Sequence, residues 1–336
     1  MRELVLAFIV LALIAAGESQ PVVVQSVASG LRPPVPRTTW GDPDLQGLWN
    51  FGTNTPLQRP KEYTGREWLT DEEVAAANLK SATFATSERR SGLTAEYDLS
   101  LNFNQFWWDL GTSTGRTSLI TDPADGRLPP QTPEWQAYEA TPEAQRLQAV
   151  RWGLAPAHGP EELGPSSRCL LDRQVPITPS SDNNHVQILQ SPGYVVMLQE
   201  KIHDFRIIPV TNRPDLPDRV RQWLGASRGR WEDDTLLVET KNFHHQADFM
   251  GPGIDRRVVE RLTRRRKDAL EYAFTVSDPR VWTRPWSAMV PWRAAEGPLF
   301  EYACHEGNYS MALILRGARA LEQAQVTAQQ ARQKRN

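Results

Sequence analysis

The sequence predicts an all-β fold, mainly an antiparallel β-barrel with long Pro-rich loops and a few short helices, and three observations carry that prediction. From Arg228 to Val276 apolar and polar positions alternate: Leu270, Tyr272, Phe274 and Val276 interleave with Glu271, Ala273 and Thr275, the period-two pattern of a strand with one buried face. The charged turn Arg266–Lys267–Asp268 divides that stretch as an antiparallel meander requires. Tyr194–Val210 has the same character, so the rest of the chain is expected to add strands and loops to one barrel or sandwich.

Length and charge bound the organisation. A chain of 336 residues exceeds the ~150-residue domain prior, as single all-β barrels often do. The expected layout is a signal peptide over 1–19, an extended leader over 20–43, one barrel-type domain over 44–316 with a loop insertion at about 121–182, and a polar tail over 317–336. A formal net charge of -2, with basic and acidic residues interspersed, supplies no field to attract nucleic acid or an anionic membrane. The 12 Trp and 26 Pro argue for irregular, aromatic-lined surfaces, because Pro ends helices while Trp buries a large ring and keeps one donor.

Compartment follows from the N-terminus and the cysteines. Met1-Arg2-Glu3 precedes the apolar run Leu4–Ala16 and then Gly17, Glu18 and Ser19, the arrangement of a secretory signal. The alternative, an uncleaved anchor, needs a run of ~20 residues, which this one does not reach. The expected location is periplasmic or secreted, with no stable membrane insertion after cleavage. Cys169 and Cys304 are the only cysteines, an even pair that forms a disulfide in an oxidising compartment, and without a C-x-x-C spacing they argue against zinc.

Taken in order, Pro33, Pro34 and Pro36 make the leader an extended strap ending at Trp40-Gly41-Asp42-Pro43, and Asp44–Asn50 is the first strand. Thr70 before Asp71, Glu72 and Glu73 is a helix N-cap with first-turn acids, so Leu69–Lys80 is helical. Phe103, Phe106, Trp107 and Trp108 form an aromatic cluster that serves either as a core plug or as a ligand wall. Arg116–Ile120 reads as a strand stopped by Asp122-Pro123-Ala124-Asp125-Gly126, and Thr132-Pro133 and Thr141-Pro142 each start a helix with Pro at its first position. Gly153–Pro179 is a long loop expected to cross a barrel mouth. His185–Gln190, Tyr194–Glu200, His203–Val210, Gly229–Phe243, Arg257–Val276 and Leu299–Cys304 are the expected later strands, and Ala318–Asn336 a solvent helix.

Several strings carry a resemblance. WGDPDLQGLWN from Trp40, RTSLITDPADGRLPP from Arg116, WLGASRGRWEDDTLLVETKNF from Trp223, WTRPW from Trp282 and EYACHEGNYSM from Glu301 resemble a family of exported bacterial proteins of uncharacterised function, in which a segment like His203–Pro209 also recurs. The match covers most of the mature chain; it implies a shared fold and brings no established reaction, cofactor or catalytic residue. Gly47-Leu48-Trp49 is similar to the G-x-W of the lipocalin opening strand, which implies a lipocalin-like barrel; an ordinary strand with one buried Trp explains the same three residues.

No Walker A loop, dinucleotide glycine fingerprint, G-x-S-x-G elbow or H-E-x-x-H helix occurs, so no cofactor is expected. Chemistry would fall to His and carboxylate residues near strand ends. His203, Asp204, His305 and Glu306 are the acid–base candidates, and Trp49, Trp107, Trp108, His185, Tyr194, Glu200 and Arg206 the ligand-binding ones. Each has a structural reading beside it: His203 as a satisfied core histidine sharing a face with Phe205 and Ile207, Asp204 with Arg206 as a same-face ion pair, His305-Glu306 as a corner beside the disulfide. His244-His245 would point to opposite faces of a strand and are read as loop residues. Two functional classes result: a barrel that binds a small apolar or aromatic molecule in its interior under Pro-rich lids, and a cofactor-independent lyase, isomerase or hydrolase using a His–carboxylate pair. A metal-dependent version would need His185, His203 and His305 together.

Overall fold

Alternation in the C-terminal half produces long strands whose buried faces meet. The structure, a computed structural model, describes residues 35–86, 107–172, 175–247, 249–251 and 253–334. Strands β1 (Gly47–Asn50), β2 (Ile120–Asp122), β3 (His185–Ser191), β4 (Tyr194–Gln199), β5 (Phe205–Pro209), β6 (Ala226–Glu232), β7 (Thr235–Lys241), β8 (Arg257–Arg266), β9 (Ala269–Ser277) and β10 (Trp286–Ala294) form one antiparallel sheet. Its order is β5-β4-β3-β1-β10-β9-β8-β7-β6, with β2 beside β10. β5 and β6 approach each other across the remaining seam, where a Cβ on Gly229 would lie 3.1 Å from Ile208 Cγ2, so the sheet curls into a nearly closed barrel. β1, from the N-terminal flank, joins β3 to β10 and thereby bridges the two halves of the meander.

Register sets the inward face. Trp49, Val186 and Gln199 lie opposite one another, as do Ile188, Met197 and Arg206, and further round Val238, Glu260, Phe274 and Ala288; all of these side chains are buried. Trp286 and Trp292 add two fully buried rings from β10, and Tyr272 stacks on Trp292 at a centroid distance of 4.6 Å. Val175 and Ile177 of the long loop join the same core, the Ile177 N–H donating to Tyr272 Oη at 2.9 Å. A charged pair sits in this apolar interior: Arg206 donates to both oxygens of Glu260, and Tyr272 Oη donates to Glu260 Oε1 at 2.7 Å. Burial and the neighbouring Glu260 carboxylate push the Tyr272 phenol well above its ordinary value.

The helices follow their caps. α1 (Asp71–Thr86) opens with a reciprocal capping box, Glu73 N–H to Thr70 Oγ1 and Thr70 N–H to Glu73 Oε2. α2 (Pro133–Glu139) and α3 (Pro142–Arg151) start at Thr132 and Thr141, whose side chains accept from Trp135 N–H and Ala144 N–H. α4 (Ser310–Gln333) starts just after the disulfide. No helix among the described residues is long and apolar enough to cross a membrane. Cys169 and Cys304 are joined, 135 positions apart in sequence.

Several expectations need correction. Leu299–Cys304 is not a strand; the strand of this region is β10, at Trp286–Ala294. Pro291 disguises it, since Pro usually excludes a central strand. Met289 N–H donates to Leu119 O, so the nitrogen two residues on, at Pro291, points to that same edge, in the gap between β2, whose Ile120 lies opposite Ala288, and β1, whose Asn50 lies opposite Arg293, and the missing donor costs no ladder bond. Gly229–Phe243 is two strands divided at Asp233–Asp234, Arg116–Leu119 lies outside the three-residue β2, and His203 lies on a tight turn before β5. Asp204 and Arg206 do not pair: Arg206 reaches across the interior to Glu260, while Asp204 accepts from Asp172 N–H. α4 begins inside the span expected to be barrel, and its first half is docked, with Met311 and Leu315 on Val150, Ala157 and Leu163, Ala318 buried, and Arg319 donating to Ala157 O. The signal peptide, most of the leader, Phe103 and Phe106 lie outside the described residues.

Candidate functional site at the barrel rim

β1, β3, β4 and β5 bring chemistry to one end of the barrel because their polar residues fall where the ladder ends. His185 opens β3, Asn50 closes β1 opposite it, and Glu200 follows the last residue of β4. His185 Nδ1 lies 2.9 Å from Glu200 Oε2, and its Nε2 lies 3.1 Å from Asn50 Nδ2. Asn50 is oriented from elsewhere: its Oδ1 accepts from Gly52 N–H at 2.7 Å and its Nδ2 donates to Asp109 Oδ2 at 3.0 Å. With the amide so held, His185 Nε2 accepts and Nδ1–H donates, the arrangement of a neutral imidazole protonated on Nδ1. Glu200, and more weakly Asp109, raise the His185 pKa above its ordinary value against the opposing effect of burial.

The chain then turns through Lys201–His203, a single 3₁₀ turn. Ile202 and His203 both take positive φ, 56° and 43°, which is strained for a β-branched residue and uncommon for histidine. Lys201 holds the turn down, its Nζ 2.8 Å from Asp182 and 3.4 Å from Asp172. His203 is thereby left exposed between two hollows. One, of about 310 Å³, is lined by His203, Asp204, Phe205, Trp223, His305 and the Cys169–Cys304 bridge, among others. The second, of about 600 Å³, is lined by His203 and Glu200 together with Leu48, Leu198, Leu299 and Phe300.

The expected site residues therefore divide. His203 and His305 share a hollow, with Asp204 in its wall, and Glu200 and His203 share the other. His185 stands behind Glu200 as its hydrogen-bond partner. Glu306 is exposed in the turn after the bridge and lines neither hollow. Trp49 is buried in the barrel, its Nε1 donating to Leu45 O at 3.0 Å. Trp107 is exposed, and Trp108 packs edge-on against Phe84 of α1. Tyr194 starts β4 at the opposite end from Glu200, beneath Arg213, and Arg206 is committed to Glu260. His185, His203 and His305 are not gathered as ligands: among the described residues no group of three or more His, Cys, Asp or Glu is placed to hold a metal ion. His244 stacks on Trp223 at 4.4 Å and on His245 at 4.2 Å, because the two lie in a turn and not on a strand.

Asn50, Asp109, Leu198 and Phe300 carry no signal in the sequence; Asn50 and Asp109 lie 59 positions apart and meet only through the fold. No family model, curated protein or solved structure matches this chain.

Proposed function

We propose that the protein is an exported barrel that binds a small apolar or aromatic molecule at the rim beside His203. The observation that carries the reading is the hollow of about 600 Å³, walled in part by Leu48, Leu198, Pro298, Leu299 and Phe300, a size within the usual ~300–1,000 Å³ of small-molecule sites. The rim is preferred to the centre because the inward positions are filled by buried rings, among them Trp49, Tyr272, Phe274, Trp286 and Trp292. Export rests on the apolar run Leu4–Ala16, on the Cys169–Cys304 bridge and on the resemblance to exported bacterial proteins.

Titration with N-phenyl-1-naphthylamine, a neutral aromatic probe, tests the binding. Saturable fluorescence is expected, weakened about tenfold in Phe300→Ser through lost apolar contact; a non-saturating signal, or one indifferent to that change, counts against the reading. Intact mass of periplasmic material tests export, with a start between Gly17 and Pro21 expected and retention of Met1 the contrary result.

One observation favours a second reading. Two exposed imidazoles, His203 and His305, line the smaller hollow beside the strained turn, an arrangement suited to acid–base work in a cofactor-independent lyase, isomerase or hydrolase. Turnover with a bell-shaped pH profile, altered in His203→Ala, is its signature.

A further inference from the structure

We infer that the larger rim hollow selects a ligand with an apolar or aromatic body and a protonated amine, and rejects carboxylates of the same shape. The inference rests on the rim-binding reading and adds to it the sign of the charge. Apolar surface comes from Leu48, Leu198, Pro298, Leu299 and Phe300. Its charged lining is Glu200 and Glu301; no lysine or arginine lines it among the described residues. Lys201, next in sequence to Glu200, turns its ammonium to Asp182 and Asp172 and leaves Glu200 uncompensated from that side.

Glu200 is prepared for this role. Its Oε2 is held by His185 Nδ1, and that ring is held in turn by Asn50, so the carboxylate is fixed in place while Oε1 has no partner among the described residues. A fixed carboxylate beside apolar walls gains more from an ammonium than one in open water, because the pair is less screened.

Three probes of one shape separate the possibilities: 3-phenylpropylamine, 3-phenylpropanol and 3-phenylpropionate, titrated by calorimetry into the folded, disulfide-bonded protein at neutral pH. The amine is expected to bind about tenfold more tightly than the alcohol, and the carboxylate more weakly than either. Raising the salt concentration should weaken the amine and leave the alcohol nearly unchanged. In Glu200→Gln, and to a smaller degree in the exposed Glu301→Gln, the amine-to-alcohol ratio should fall toward one, with an unchanged circular dichroism spectrum certifying the fold. Equal affinities for amine and alcohol in the unaltered protein would overturn the inference while leaving the rim site standing. Failure of all three to bind would overturn the rim reading beneath it.

Discussion

Arg206 of β5 and Glu260 of β8 meet inside the barrel through two hydrogen bonds, Nη1 to Oε2 at 2.6 Å and Nη2 to Oε1 at 2.8 Å, with side chains 3% and 0% exposed. They tie together walls that do not pair as strands, and Tyr272 links them to the long loop through Ile177.

Removing one partner strands a buried charge. Glu260→Ala is expected to cost about 3–5 kcal/mol in urea unfolding, whereas the double change Arg206→Met with Glu260→Met should recover much of that loss. Tyr272→Phe, which leaves Ile177 N–H without its acceptor, should cost about 1–3 kcal/mol. A double variant no more stable than Glu260→Ala would contradict the assignment.

His185 makes stability depend on pH. Its raised pKa belongs to the folded state, so the contribution is whole below the ordinary imidazole value of about 6.5 and fades as pH climbs through the folded value. The stability gap between the unaltered protein and His185→Gln should therefore be widest in mild acid and narrow toward alkaline pH. Because the Glu200 hydrogen bond is the main cause, Glu200→Gln should lower the ring's pKa in an NMR titration; an unmoved value would sink the assignment.

The Cys169–Cys304 bridge closes a long loop and stands in the wall of the smaller hollow. Cys169→Ser with Cys304→Ser is expected to lower stability by about 2–5 kcal/mol. Two thiols titrating in unreduced, denatured protein would refute the bridge.

Gly111 allows the loop bearing Asp109 to touch the end of β1. It has φ +56°, and a Cβ there would lie 2.1 Å from the Gly52 carbonyl oxygen. Gly111→Ala is expected to cost about 1–3 kcal/mol through backbone displacement and to loosen Asn50 from Asp109. A neutral effect on the urea midpoint would contradict that close approach.

Local chemistry explains which parts of this fold were readable. The alternation of Leu270 to Val276, the caps at Thr70, Thr132 and Thr141, and the turn at Lys267–Asp268 depend on neighbours a few residues apart, so strands β8 and β9 and helices α1 to α3 are visible in the chain itself. β10 was hidden because its Pro291 is tolerated only by what its edge lacks, a fact of strand order. The length of α4 was hidden in the same way, since it is packing on Val150, Ala157 and Leu163 that orders its first turns.

The sequence by itself determined the fold class, the presence of a Cys pair able to close one long loop, and the places near strand ends where histidines and carboxylates would collect. Tertiary structure alone decided their partners. Arg206 pairs with Glu260 and not with Asp204 because Asp204 precedes β5, at the end of the Lys201–His203 turn, and accepts from Asp172 N–H, while the inward guanidinium of Arg206 meets a carboxylate from another wall. Glu200 took His185 because the start of β3 lies beside the end of β4, and Asn50 joined them only when β1 closed the ring beside β3. Such contacts bring together positions far apart in the chain, so no local pattern encodes them; they exist once the sheet has curled and its registers are set.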